Sequence, residues 1–217
     1  MAKSGAQRAR NLLVWLHVVS SVGWMSLALT LFALVTYGIG VADPGLRLAA
    51  FRMAEVLDLR VLQILAETSA FTGFMLSALT PWGYFRHWWV LIKFAITLLQ
   101  LYIGIFILSG NLHASVLAAE TGGRGPAVWL AVASAFMVGG IAFQAWLSVA
   151  KPGKRTPWTP PGKQATAPVS HVYAAGAVPP VAYLAGQFLP WVTPLLMLAV
   201  VLWYSIRRGV KLRALAR

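Results

Sequence analysis

Five stretches almost free of formal charge set what this chain can fold into. Asn11–Ala42 (32 residues), Phe94–Ala119 (26), Gly125–Ala150 (26) and Gln164–Ile206 (43) carry none, and Val61–Phe85 (25) carries only Glu67. A helix crossing a hydrocarbon core of roughly 30 Å needs about 20 mostly apolar residues at about 1.5 Å each. The runs at 11–42, 61–85, 94–119 and 125–150 therefore each hold one span. A water-soluble core could not bury all four.

Composition agrees. The chain is 59% apolar and 11% charged, against about 45–50% and about 25% in soluble domains. It has no cysteine, which excludes a disulfide scaffold, a thiolate metal site and a cysteine nucleophile. A net charge of +13 would suggest nucleic acid for a soluble protein. Here the cations sit at the ends of long apolar runs, so nucleic acid is excluded as a partner and the lipid bilayer takes its place.

Charge asymmetry orients the bundle. With the N-terminus in the cytoplasm, fourteen basic residues fall inside: Lys3, Arg8, Arg10, Arg86, Lys93, Lys151, Lys154, Arg155, Lys163, Arg207, Arg208, Lys211, Arg213 and Arg217. Four fall outside: Arg47, Arg52, Arg60 and Arg124. That is the positive-inside pattern, and Trp82, Tyr84, Trp88, Trp89 and Trp146 collect at the same inner interface. The first run follows a basic segment as a signal peptide would, but it is about twice the length of a signal h-region. The reading is a retained signal anchor.

The last run is long enough for two crossings, and a cytoplasmic C-terminal tail demands an even number. Pro179 and Pro180 interrupt its first half, which predicts a broken helix from about 170 to 188 and a clean one from about 194 to 206. The expected fold is thus all-α and transmembrane: a four-helix membrane bundle plus a C-terminal broken-helix hairpin, six spans, both termini cytoplasmic. Its parts are a basic tail at 1–10, a four-span core at 11–150 and a Pro/Gly-rich basic linker at 151–169. A hydrophobic hairpin at 170–206 and a basic tail at 207–217 complete it.

The segment Arg47–Arg60 reads as an exposed extension of the second helix, with Arg52 and Glu55 paired at i,i+3, or else as an interfacial helix on the outer leaflet. The linker Lys151–Lys163 offers its cations to anionic lipid at the inner face. Small residues recur every fourth position at Ser69, Gly73 and Ser77 and at Ala131, Ala135 and Gly139. In lipid, close backbone approach through small residues draws helices together, so these stripes are expected to face neighbouring helices.

Glu67 is read as the one acid within a span, about 10 Å below the outer boundary. A carboxylate there costs about 2.5–3.5 kcal/mol on insertion scales unless protonated or paired. Two roles stay open: a neutral acid hydrogen-bonded in the bundle, with Gln63 one turn back as its partner, or a proton or cation relay. The histidines differ in depth. His17 lies in the first span near its inner end, and His87 precedes the third span on the same side. His113 lies about 35–40 Å from His87 along one helix, and His171 begins the fifth span. His17 and His87 are therefore candidates for one metal or haem site, and His113 for an outer-face ligand. No recognised zinc, c-type haem, phosphate-loop or nucleophile-elbow spacing occurs.

Three stretches carry a resemblance: Trp15–Trp24 (WLHVVSSVGW), Pro81–Trp89 (PWGYFRHWW) with Lys93, and Lys151–Pro157 (KPGKRTP). Together they resemble an uncharacterised family of small multi-pass integral membrane proteins of actinobacteria. More distantly, the Leu16-His17 pair with Gly23 and Trp24 downstream resembles the membrane domain of copper-resistance D proteins. The likeness covers roughly 11–160 and implies a four-helix core in the bacterial plasma (inner) membrane, with the copper link resting on His17.

Three functional expectations follow. The first is a non-enzymatic helix bundle that scaffolds or assists another membrane protein, or a second copy of itself. The second is a haem b or copper protein using His17 and His87. The third is a small proton-coupled permease using Glu67.

Overall fold

The computed structural model describes residues 5–159, 166–189 and 192–214. Lys3, Lys163, Arg217, the second half of the linker and part of the expected hairpin turn lie outside the described residues. Regular structure among the described residues is helical throughout. The helices are α1 (Gly5–Gly40), α2 (Pro44–Leu79), α3 (Trp88–Glu120), α4 (Ala127–Ala150), α5 (Val169–Gly186) and α6 (Val192–Ala214). Among them, α1 to α4 are long and apolar enough to cross a membrane. Four helices of the expected length and apolarity are thus present, while α5 and α6 fall short of that standard.

The chain divides into two compact units. One takes the chain up to Ser20, Glu67–Phe94 and everything from Pro152; the other takes Ser21–Ala66 and Ala95–Lys151. The first is built around Leu13, Phe71, Met75, Leu79, Met197 and Val201. The second has Phe51, Val35, Leu112, Val116 and Leu130 in one cluster, and Trp24, Ala66, Met137 and Ile141 in another.

Local chemistry explains the boundaries. Asp43 caps α2, its carboxylate accepting from Gly45 N at 2.7 Å and Leu46 N at 3.0 Å, and Pro44 occupies the first turn, where no donor is needed. Between α3 and α4, Gly122 (φ 81°) and Gly125 (φ 53°) take left-handed conformations that cost a side-chain-bearing residue energy. The segment Arg47–Arg60 is indeed part of α2, but it is not simply exposed: Arg47 and Asp58 are buried.

Three expectations need correction. α5 is not broken: it runs through Pro179 and Pro180 as one α-helix. The proline φ is already helical, and the carbonyls four residues back, which a proline ring crowds, belong to the small residues Ala175 and Gly176. The stripe on α4 fails as well. Ala131 is buried, but Ala135 and Gly139 are exposed, and Gly139 meets open space. A step of four residues advances about 400°, so the stripe rotates about 40° off its face each time. The buried seam of α4 instead follows sevens, through Ala127, Ser134 and Ile141 and through Leu130, Met137 and Gln144, the spacing that keeps one face against a supercoiling neighbour. Finally, Arg52 does not pair with Glu55. It reaches Glu120 at 2.9 Å, and Glu55 accepts from His113 at 2.7 Å, because α3 supplies partners that a local spacing rule does not see.

Candidate functional site

In the first unit, His17 is held from α2. Its Nδ1 lies 3.0 Å from the Ser69 carbonyl oxygen, to which it must donate, and 3.1 Å from the Thr72 hydroxyl. Thr72 is fully buried and also returns to its own helix at Thr68 O, 2.7 Å away. Gly73 makes the room: a Cβ there would come within 3.0 Å of the imidazole. The expectation that Ser69 and Gly73 face a neighbour therefore holds, and that neighbour is His17. Glu67, on the same helix, is buried and engaged.

His87 sits in the loop before α3. Its Nδ1 donates to Trp82 O at 3.2 Å, and its ring packs edge-on to Trp82 with centroids 5.2 Å apart. The linker is fastened to this loop. Thr156 Oγ1 donates to Phe85 O at 2.5 Å, Trp158 Nε1 to the same oxygen at 3.0 Å, and Thr159 Oγ1 to Arg86 O at 3.0 Å. Nearby, Tyr84 shares a 3.1 Å hydrogen bond with Ser205, and His171 Nδ1 lies 3.3 Å from the Tyr204 hydroxyl.

Burial pushes the Tyr84 phenol up to about 12, although Ser205 and Arg208 pull the other way and Tyr204 adds slightly to the rise. The raised value means the folded state holds this proton more tightly than the unfolded chain, whose ordinary value is 10.0. The associated stability is complete below pH 10 and is lost as pH climbs through about 12, amounting to about 2–3 kcal/mol. Near-ultraviolet titration should therefore find one late tyrosine that disappears in Tyr84→Phe.

In the second unit, the buried amides of Gln100 and Gln144 form a relay. Thr97 Oγ1 donates to Gln144 Oε1 at 2.8 Å, Gln144 Nε2 to Gln100 Oε1 at 2.6 Å, and Gln100 Nε2 to Met137 O at 2.9 Å. Removing one partner strands the other, which costs about 1–3 kcal/mol, whereas removing both can be nearly neutral. Gln100→Leu alone should accordingly destabilise the protein more than Gln100→Leu with Gln144→Leu. Unfolding in mixed micelles measures the difference.

The sequence reading missed Asp58. It is buried within α2 and accepts from Ser109 Oγ at 2.6 Å. Glu67 is therefore not the sole buried acid of α2. Both partners adjoin a local widening: Asp58–Leu62 in α2 and Gly104–Leu108 in α3 form π-turns, which recur at functional sites.

His17 and His87, both in the first unit, would together supply two of the four donors a zinc ion takes. His113 belongs to the other unit, paired with Glu55. Among the described residues, no group of three or more His, Cys, Asp or Glu is gathered that could hold a metal ion. No protein-family model matches the chain, and no curated protein or solved structure is significantly similar to it.

Proposed function

We propose that this is a multi-pass protein of a bacterial plasma membrane whose helix bundle is non-enzymatic and scaffolds another membrane protein by lateral helix contact. In this reading α5 and α6 are the fifth and sixth spans, and both termini are cytoplasmic. The observation that carries it is the outward face of α4. Trp129 (76% exposed), Phe136 (78%) and Phe143 (45%) recur there at seven-residue intervals. Side-chain packing is what holds helices together in lipid, and this stripe of rings offers a partner helix a surface to pack on. The inward polar groups of α3 and α4 support the same reading, because Thr97, Gln100 and Gln144 satisfy one another.

A photo-crosslinking residue placed at Phe136 in cells should give one discrete product. The triple variant Trp129→Ala, Phe136→Ala, Phe143→Ala should abolish the complex, while Glu67→Gln and His17→Ala leave it intact. A product of twice the chain mass makes the partner a second copy. An unchanged complex in the triple variant, or its loss in Glu67→Gln, overturns the reading.

A further inference from the structure

A cavity of about 40 Å³ lies in the second unit, lined by Trp24, Leu31, Leu112, Leu130 and Met137 and by both ends of each π-turn: Asp58, Leu62, Gly104 and Leu108. Apart from Trp24, whose indole carries one N–H, the polar side chains that line it are Asp58 and Ser134. Both are more than nine-tenths buried.

Neither side chain exhausts its hydrogen-bonding capacity. The Asp58 carboxyl has one hydrogen bond among the described residues, from Ser109, although a carboxylate accepts about four. The Ser134 hydroxyl has none with any described residue, unlike Ser20, Thr36, Thr72, Ser115 and Ser148, which return to the carbonyl four residues back. A buried carboxylate with no cation beside it is costly in such surroundings. The charged groups around it give no counter-ion. Glu55 lies on its own helix, paired with His113 of α3, and Arg60 is exposed. The α1 segment from Ser21 to Gly40 and the whole of α4 have no charged side chain.

We propose that this cavity is a proton-binding site: Asp58 holds the proton as a carboxylic acid, and water held between Asp58 and Ser134 delivers and removes it. The step is a proton transfer from hydronium to carboxylate, leaving a neutral acid and water. The volume admits about one to three water molecules, which can bridge the two groups and meet their unused capacity.

The test uses the full chain in nanodiscs with 13C-labelled aspartate. Asp43 and Asp58 are the chain's only aspartates, and Asp43 is exposed at a helix cap. Infrared spectra at neutral pH should show a carboxylic-acid C=O band that shifts with the label and vanishes in Asp58→Asn. Ser134→Ala should move the band, and Ser134→Leu, which fills the cavity, should slow its shift on transfer to deuterated water. The proposal is overturned if labelled wild-type protein lacks the band, if the band persists in Asp58→Asn, or if deuteration in Ser134→Leu is as fast as in wild type. The wild-type readout decides the matter even where a variant fails to fold.

Discussion

Arg47→Ala should destabilise the protein by about 3–5 kcal/mol, because it strands several buried acceptors at about 1–3 kcal/mol each. Arg47 is 7% exposed, and its guanidinium donates to three carbonyls: Nε to Gly38 at 3.2 Å, Nη1 to Gly122 at 2.6 Å, and Nη2 to Val41 at 2.9 Å. Those oxygens belong to the end of α1, the residue just beyond it, and the α3–α4 turn. Helix-final carbonyls lack intrahelical donors and carry the negative end of the helix dipole, so one cation closes two chain reversals together. Arg47→Lys should recover only part of the loss, because a single ammonium cannot span three divergent acceptors. Equilibrium unfolding in mixed micelles gives the magnitudes. A wild-type midpoint in Arg47→Ala would refute the assignment.

The second large effect concerns Phe51, which is fully buried, and Gly38, whose missing side chain accommodates it. A Cβ on Gly38 would clash with the Phe51 ring, coming closest to Cε1 and within 2.8 Å of Cδ1. Gly38→Leu should therefore cost more than about 3 kcal/mol, beyond ordinary overpacking, since a closed ring cannot withdraw. Phe51→Ala should cost about 3 kcal/mol through its cavity. The two should not add: Gly38→Leu with Phe51→Ala fills the void it creates and should be more stable than Gly38→Leu alone. A double-mutant cycle measures this coupling, and strict additivity would show that the two sites do not share one space.

How much of this was legible beforehand depended on which physical constraint left a trace in residue order. The four long helices were readable because lipid demands unbroken apolar length, and charge marks where that length ends. Asp58 was not, because the charged stretch Arg47–Arg60 looks like a solvated arc when considered alone. Its buried environment is supplied by α3 through Ser109. The π-turns leave no residue signature: one is the charged stretch Asp58–Leu62 and the other the apolar stretch Gly104–Leu108. Gln100 and Gln144 escaped because a search for charges ignores neutral amides. Two amides inside uncharged runs were the available signal, as polar groups in lipid seek one another. The depth of His17 is legible in its run, but its partners Ser69 and Thr72 come from another helix. Spacing along one helix could not name them.

The fastening of the linker to the Phe85–Arg86 carbonyls has a consequence for fragments of this protein. Ending the chain after α4, at the boundary that hydropathy alone recommends, would strip those two oxygens of the donors Thr156, Trp158 and Thr159. The shortest piece that keeps the α2–α3 loop intact must extend at least through Thr159. A genetic fusion or protease site belongs beyond that residue rather than at Lys151.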